Sequence, residues 1–288
     1  MKKGHFEYFA SLPTIAWMIV FFLVPTVMIF AFAFKPFDIY GGIKEGWTLN
    51  TLTELLNVNF LVSYWQTLWI SVITTLIALS IALPVGYFMA KTTPMIRHIC
   101  LVLVVVPFWS SFLIRIFAWK SLLHPEGFFK KILVTLHIVN NDTLLLYNSG
   151  AVLLVLVYSY LPFAILPIFA AASKFNFHLM EAALDLGASK REAFIKVFLP
   201  GIKTGMITAI LMVFIPTVGA YVIPDVVGGP NSEMIGNKIA QKIFVDRNLP
   251  AASALSGFLG LVVLLPMTLF YINSKITKKG LLDARMKE

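Results

Sequence analysis

Charged residues are scarce in this chain of 288 residues. Asp, Glu, Lys and Arg together make up 13% of it, whereas about 25% is usual in soluble domains. Cysteine occurs once, at Cys100, so the chain cannot form an internal disulfide. The five histidines are scattered along tails and loops, without the spacing of a metal site. These shortages exclude a disulfide scaffold and a soluble domain, and they leave no candidate for a metal centre.

Apolar residues take the place of charge, at 59% of the chain with 25 Phe. About 20 apolar residues in a row cross the hydrocarbon core of a bilayer. The sequence therefore predicts an all-α integral membrane protein with one transmembrane domain over residues 1–288. Its six predicted spans cover residues 14–34, 67–90, 99–117, 150–172, 201–223 and 252–272. The first span is longer than the apolar core of a signal peptide, about 7–15 residues, and we interpret it as an uncleaved anchor.

Basic residues are distributed unevenly between the two sides of the predicted membrane. One side carries the N-terminus, the 91–98 and 173–203 loops and the C-terminal tail. It holds 14 of the 23 Lys and Arg and 6 of the 14 Asp and Glu, a net charge of +8 against +1 on the other side. The positive-inside rule places this side, with both termini, in the cytoplasm. The net charge of +9 thus reflects topology in the cytoplasmic membrane and requires no nucleic-acid partner.

A polar segment, residues 173–200, separates the fourth and fifth predicted spans and is called the polar loop below. Good helix formers lead to Gly187, which suits the left-handed position that ends a helix. Ser189, followed three residues later by Glu192, is the pattern of a capping box at a helix start. The polar loop is therefore predicted to form two short helices joined at Gly187.

Within the polar loop, Glu-Ala-Ala is followed by three residues, Gly, nine residues, Val, one residue and Leu-Pro. This spacing resembles the EAA loop of ABC importer permeases, with Val197 in place of the usual Ile. The resemblance implies docking into a separate ATPase subunit through Glu181, Ala182, Ala183, Asp185, Gly187, Leu199 and Pro200. Glu181 and Asp185 share a helix face that can pair with basic residues of that subunit. The alternative is an amphipathic helix at the lipid headgroups, which needs only Lys and Arg on its polar face.

Three further segments resemble the membrane subunits of bacterial spermidine/putrescine ABC importers: residues 106–119, 161–163 and 214–236. The resemblance implies the six-helix, MetI-like permease fold and a heterodimer with a sister permease. It also implies two copies of a cytoplasmic ABC ATPase and an extracytoplasmic polyamine-binding protein as partners, besides membrane lipid. This chain would then be no enzyme and hold no cofactor, because the ATPase subunit uses the ATP. Related permeases for other small solutes share parts of these segments, so another solute stays open.

A path for a polyamine, which is a flexible polycation, should offer carboxylates and aromatic faces. The predicted spans carry no Asp or Glu deep inside them, but aromatic residues are plentiful. The candidates for contact with the solute are Trp109, Tyr160, Tyr221 and Asp225. The alternative is that Trp and Tyr simply populate the membrane interfaces. Some relatives carry an acid where this chain has Ala220, and Arg115 is expected to form a salt bridge or to snorkel to the interface.

A secondary transporter is the competing function. Ion-coupled carriers usually keep ionisable residues inside their spans and often show inverted repeats, and neither feature is visible here. A membrane-embedded enzyme would need converging catalytic groups.

Residues 232–246 have helical apolar spacing and predict an external helix. That helix either receives the binding protein or covers the pore mouth.

Overall fold

The computed structural model describes residues 12–38, 41–53, 55, 58–265 and 268, with only the backbone of residue 59. These residues form helices, turns and one isolated antiparallel bridge between Phe37 and Ile43. The helices in chain order are α1 (Leu12–Ala33), α2 (Asn50–Thr53), α3 (Val58–Lys91), α4 (Pro94–Trp109), α5 (Phe112–Leu123), α6 (Phe128–Thr135), α7 (Ser149–Ala172), α8 (His178–Asp185), α9 (Lys190–Gly201), α10 (Lys203–Val218), α11 (Val222–Val227), α12 (Ile235–Phe244) and α13 (Leu249–Leu265).

The chain divides into two compact units, residues 1–61 with 238–288 and residues 62–237. A single transmembrane domain over the whole chain stays a prediction. In the first unit, α1 meets α13 where the Phe30 ring approaches Gly257, whose added Cβ would lie 3.3 Å from that ring. The second unit contains most of α3, all of α4 to α11, and the polar loop.

Three helices of the described residues are long and apolar enough to cross a membrane: α1, α3 and α7. They correspond to the first, second and fourth predicted spans. The sixth predicted span is described by α13 as far as Leu265, and its residues 266, 267 and 269–272 lie outside the described residues. The total of six spans stays a prediction.

The third predicted span differs from the expected single helix, because it is broken. α4 and the helices from Phe112 to Thr135 meet at a bend of 93°. Pro107 lies in a 3₁₀ turn at the end of α4, and Ser110 and Ser111 after it have extended backbones with ψ of 150° and 137°. Two consecutive extended residues cannot continue a helical hydrogen-bond ladder. The chain therefore changes direction inside the stretch that was predicted to be one membrane span.

The fifth predicted span is bent at its start. α9 and α10 meet at 74°, and Ile202 between them leaves the helical conformation at φ −104° and ψ 16°. α10 ends at Val218, before the predicted end of the span, and α11 follows after a turn at Gly219 and Ala220. The polar loop is therefore joined to its span through a corner rather than a straight helix.

α7 and α10 form the centre of the second unit. α7 begins where the Asn148 side chain accepts a hydrogen bond from the N–H of Ala151 at 2.9 Å. It packs closely on α10 at Gly205, where an added Cβ would lie 2.4 Å from the Cβ of Ala171. Small residues at such crossings let helix backbones approach in membranes.

Large apolar side chains cover the outside of the long helices. Trp17 and Phe22 of α1 are 65% and 72% exposed, and Trp65 and Trp69 of α3 are 70% and 57% exposed. Soluble monomers rarely expose apolar surface on this scale. The exposed belt therefore suits contact with lipid or with another membrane subunit.

Candidate functional site

The polar loop forms the two helices that the sequence predicts, and Gly187 joins them. α8 ends in a hydrogen-bond pattern in which Gly187 N–H donates to Leu184 O at 2.9 Å and Ala188 N–H donates to Ala183 O at 3.0 Å. These two bonds define a Schellman motif, which requires its penultimate residue in the left-handed region. Gly187 has φ of +89°. The glycine thus fixes the direction in which the second helix departs.

α9 starts with the predicted capping box. Glu192 N–H donates to Ser189 Oγ at 3.2 Å, and Ser189 N–H donates to a Glu192 carboxylate oxygen at 3.0 Å. Lys196 donates to the other carboxylate oxygen at 3.1 Å. The hydrogen bond from the Ser189 backbone, followed by those from Lys196 and the Ser189 hydroxyl, lowers the pKa of Glu192 to about 2. The start of α9 is therefore held by a carboxylate that is ionised at neutral pH.

The outer face of the polar loop presents small and acidic residues to solvent. Glu181, Ala182, Asp185 and Gly187 are exposed, and Leu186 beside them is 89% exposed. Glu181 and Asp185 share this face, as the sequence predicts. The Glu181 carboxylate also lies 2.9 Å from Nδ1 of His178, a neighbour that the sequence analysis did not single out. The remaining predicted docking residues lie differently: Ala183 and Leu199 are half-buried, and Pro200 is exposed.

The inner face of the polar loop is aromatic, which the sequence analysis missed. Five rings meet there and form what we call the aromatic cluster: Tyr87, Phe175, Phe177, Phe194 and Phe198. Phe198 is fully buried. The available signal was the presence of four Phe in an otherwise polar segment, where a helix exposed on all sides would have no use for them.

Two concavities flank α8. One has a volume of about 400 Å³ and is lined by Tyr87, Lys91, Met180, Glu181, Leu184, Lys190 and Phe194. The other has a volume of about 430 Å³ and is lined mainly by the residues around Gly187 and the start of α9. The acidic and small face of α8 is therefore a ridge between two hollows, a shape that a groove-bearing partner can enclose.

The candidate solute contacts lie on α4, α7 and α11 of the second unit and at the turn between α10 and α11. Tyr160 of α7 is half-buried, and its Oη donates to Pro216 O of α10 at 3.5 Å. Tyr221 is 44% exposed, and its carbonyl accepts the N–H of exposed Asp225 at 3.0 Å. Trp109 at the end of α4 is 83% exposed. The structure thus brings Tyr221 and Asp225 together, while the contacts of the described residues do not join Trp109 to them.

Arg115 forms no salt bridge within the described residues, and its expected snorkelling to the interface stays a prediction. Its guanidinium donates to the carbonyl of Pro107 and to Ser110 O at 3.3 Å, and it lies 5.2 Å from the centre of the Phe108 ring. The carbonyls at a helix C-terminus lack intrahelical partners and carry partial negative charge. Arg115 therefore caps the break in the third span, which the sequence analysis did not foresee.

Metal chemistry has no support in the described residues, which contain no group of three or more His, Cys, Asp or Glu able to hold an ion. His178 and Glu181 are a pair of exposed neighbours on one helix. What the geometry offers is an exposed ridge formed by two capped helices on an apolar helical body.

Comparisons with known proteins bear on both regions. Residues 82–279 match the family model described as "Binding-protein-dependent transport system inner membrane component". The spermidine/putrescine transport system permease protein PotB of Haemophilus influenzae is 35% identical over 255 residues, which cover 88% of each chain. The protein of the same name from Escherichia coli is 31% identical over 265 residues, covering 92% of this chain and 96% of that one.

A solved structure is similar in fold. It is the crystal structure of a bacterial ABC transporter involved in the import of the acidic polysaccharide alginate. The TM-score is 0.75 at 18% sequence identity, with 96% of this chain and 97% of that chain covered. At this identity the likeness concerns the fold alone.

Proposed function

This chain belongs to the family of inner membrane components of binding-protein-dependent transport systems, and from that premise we propose that it forms half of the membrane path of an ATP-driven polyamine importer. The names of its relatives support spermidine or putrescine as the solute. In this function the chain catalyses no covalent reaction and holds no cofactor, because ATP is bound and hydrolysed by a separate subunit.

The observation that carries the proposal is the construction of the polar loop. A Schellman motif and a capping box fix its two helices, and the aromatic cluster fastens them to the membrane helices. Such a loop can transmit a displacement to the membrane helices. Its outer face carries small and acidic residues that leave room for a partner. We propose that the ATPase contact consists of the exposed part of this face, Glu181, Ala182, Asp185 and Gly187.

Three predicted docking residues take a supporting role in this proposal. Ala183 and Leu199 pack partly against the buried core below the loop, so they set its position rather than meet the partner. Pro200 is exposed at the corner between α9 and α10, where it helps to end one helix and redirect the chain. A partner pressing on α8 would therefore act on α10 through this corner.

The partners follow from the family and from the surfaces of the chain. We propose a heterodimer with a sister permease, two copies of a cytoplasmic ATPase and an extracytoplasmic binding protein that delivers the solute. The exposed apolar belt of α3 to α5 suits the sister permease and lipid. We propose that both termini lie in the cytoplasm, because the side that carries them has the excess of basic residues. Residues 1–11 and 269–288, which carry part of that charge, lie outside the described residues.

For the path, we propose that the solute passes Trp109, Tyr160, Tyr221 and Asp225. Asp225 is exposed and attracts a polycation at the outer end, while aromatic faces give cation–π contacts of about 0.5–2 kcal/mol each. The charge of Arg115 is directed to backbone carbonyls, which lessens its repulsion of a cation. Weak and repeated contacts suit a conduit, because one tight site would trap the solute.

Uptake of radiolabelled spermidine and putrescine by the host tests this function. Cells lacking the gene should lose uptake, and the wild-type gene should restore it. Asp225→Asn should lower uptake severalfold, whereas Asp142→Asn, the same change at an exposed external-loop position, should not. Trp109→Ala should lower uptake, with Trp17→Ala, at an exposed position of α1, as its control. Protein level and basal ATPase activity should stay unchanged in all four variants.

Different outcomes separate the parts of this proposal. If the gene proves dispensable for polyamine uptake but required for uptake of another small solute, the transport function stands and the substrate is wrong. If Asp225→Asn and Trp109→Ala both transport at the wild-type rate, these two residues are an external surface charge and an interfacial aromatic.

A further inference from the structure

Tyr87 is the one member of the aromatic cluster that lies on a membrane helix, and its ring contacts join the polar loop to α3. Tyr87 of α3 has its ring centre 5.8 Å from that of Phe177, 5.5 Å from Phe194 and 5.0 Å from Phe198. All three contacts are edge-to-face, the arrangement that aromatic pairs prefer. Phe177 directly precedes α8, and the other two lie on α9. Tyr87 therefore contacts both halves of the polar loop, the segment before α8 and the helix α9.

A lysine strengthens the same junction. Lys91, one turn beyond Tyr87 on α3, places its Nζ 5.5 Å from the centre of the Tyr87 ring and 5.3 Å from that of Phe177. The cation thus bridges a ring of the membrane helix and a ring of the polar loop. A displacement of the loop cannot leave the end of α3 in place without breaking these contacts.

The opposite end of α3 is fastened to the external segment before α12. The buried hydroxyl of Thr67 accepts the N–H of buried Ile235 at 2.7 Å. One residue earlier, the Gln66 amide donates to the carbonyl of Asn231 at 2.5 Å. We call these two bonds the outer latch. Because Ile235 is buried, water cannot replace the Thr67 hydroxyl as the acceptor for its N–H. Removing that hydroxyl therefore leaves the Ile235 N–H unpaired.

α3 connects these two attachments as one helix. It runs unbroken from Val58 to Lys91, through Pro84. The stretch between the outer latch and Tyr87 is about 30 Å long at the rise of an α-helix, which is the thickness of the hydrocarbon core. One element thus touches the polar loop on one side of the membrane and the external segment on the other.

From this arrangement we infer that Tyr87 is a positioning residue that transmits movement of the polar loop along α3 to the external segment at residues 228–236. The inference rests on the proposed function for the origin of the movement, ATPase binding and nucleotide turnover at the polar loop. In this role Tyr87 touches neither solute nor nucleotide. It makes the state of the outer latch depend on the state of the ATPase.

Labelling of the external segment measures this dependence without any solute. Asn231 is exposed and uses only its backbone carbonyl in the latch, so Asn231→Cys keeps the bond. Cys100 is the sole native cysteine of the chain, and Cys100→Ala supplies a background without it. The complex is purified from the host with its partner subunits and placed in nanodiscs. The rate of maleimide labelling of this chain is then compared between nucleotide-free and ATP–vanadate-trapped states.

We expect the labelling rate of the otherwise wild-type complex to change by about fivefold or more between the two states, the usual lower range of allosteric coupling. Tyr87→Ala should bring the ratio close to one, and Tyr87→Phe should keep it. Tyr158→Ala is the matched control, because Tyr158 makes a similar edge-to-face contact with Trp119 away from the polar loop. If Tyr87→Ala does not accumulate in the membrane, Tyr87→Leu keeps an apolar side chain there without the ring.

The outer latch gives a second arm. Thr67→Val removes the acceptor at nearly constant volume and should also abolish the nucleotide dependence, while Thr67→Ser should retain it. An unchanged ratio in Tyr87→Ala or its Leu substitute, or no response of the wild-type complex to trapping, would overturn the inference. Because this readout uses no polyamine, failure of polyamine uptake with an intact labelling response would count against the proposed substrate alone.

Discussion

Substitution of Gly187 tests whether the exposed face of the polar loop is a docking surface. Gly187 has φ of +89°, a conformation that costs an ordinary L-residue about 1–2 kcal/mol. No heavy atom of the described residues, apart from the glycine's chain neighbours, lies within 4 Å of a Cβ built at this position. A side chain placed there is therefore strained by the backbone but meets no obstacle within the chain itself.

Three replacements separate strain from obstruction. Gly187→Ala adds strain only, and about 1–2 kcal/mol corresponds to a factor of about 5–30 in the population of the native loop. Gly187→Asn should cost less, because Asn tolerates the left-handed region. Gly187→Arg carries the same strain as Ala and adds a bulky charge. Trapping an unpaired charge in an interface costs about 3–5 kcal/mol, so it should weaken partner binding about a hundredfold or more beyond Ala.

The assay is co-purification of the ATPase subunit with each variant, at matched levels of the variant in the membrane, followed by ATP-dependent uptake. We expect the order wild type, Asn, Ala and then Arg, with the largest step between the last two. Equal retention of the ATPase by Ala and Arg would refute the docking assignment, because only a partner can distinguish these side chains at an unobstructed position. In that case Gly187 would serve the fold of the loop alone.

Further expectations follow from other parts of the chain. Because the pKa of Glu192 falls from 4.5 to about 2 on folding, its stabilising contribution is complete above pH 4.5 and is lost as pH falls through about 2. Carboxyl NMR titration should show this, and a midpoint near 4 would contradict it. Gly205→Val should lower the unfolding free energy by about 1–3 kcal/mol through overpacking, while Gly260→Ala, at a site open among the described residues, should not. Topology reporters fused after Asn140 should read external and those after Lys190 internal, and reversal of either would break the orientation proposed here.

Local signals in the sequence were sufficient to predict the two helices of the polar loop and the turn between them. The capping box depends on two side chains three residues apart, Ser189 and Glu192, and on nothing distant. The Schellman turn depends on a residue that tolerates positive φ, and only glycine does so without strain. Length and hydropathy likewise identified the spans that became α1, α3 and α7, because a continuous apolar run needs no knowledge of its neighbours.

Features that depend on contacts between distant residues could not be read in this way. Pro107 permits a kink in the third span, but the 93° bend and the carbonyls that Arg115 caps depend on how the following helices pack. An isolated arginine in a span offers no indication of which carbonyls it will meet. The aromatic cluster is similar, since Tyr87 lies far from the four Phe in sequence and only the fold brings them together.

These unpredicted contacts connect the polar loop to the membrane helices, so that a movement of the loop can move them. Without such contacts, the polar loop could bind a partner and leave the membrane helices unaffected. Tyr87 and the corner at Ile202 tie the ridge to two different helices, α3 and α10. α10 contains Pro216, whose carbonyl accepts a hydrogen bond from Tyr160, and α3 contains the Thr67 hydroxyl of the outer latch. One movement of the polar loop would thus act on a proposed solute contact and on the external segment together, which alternating access requires.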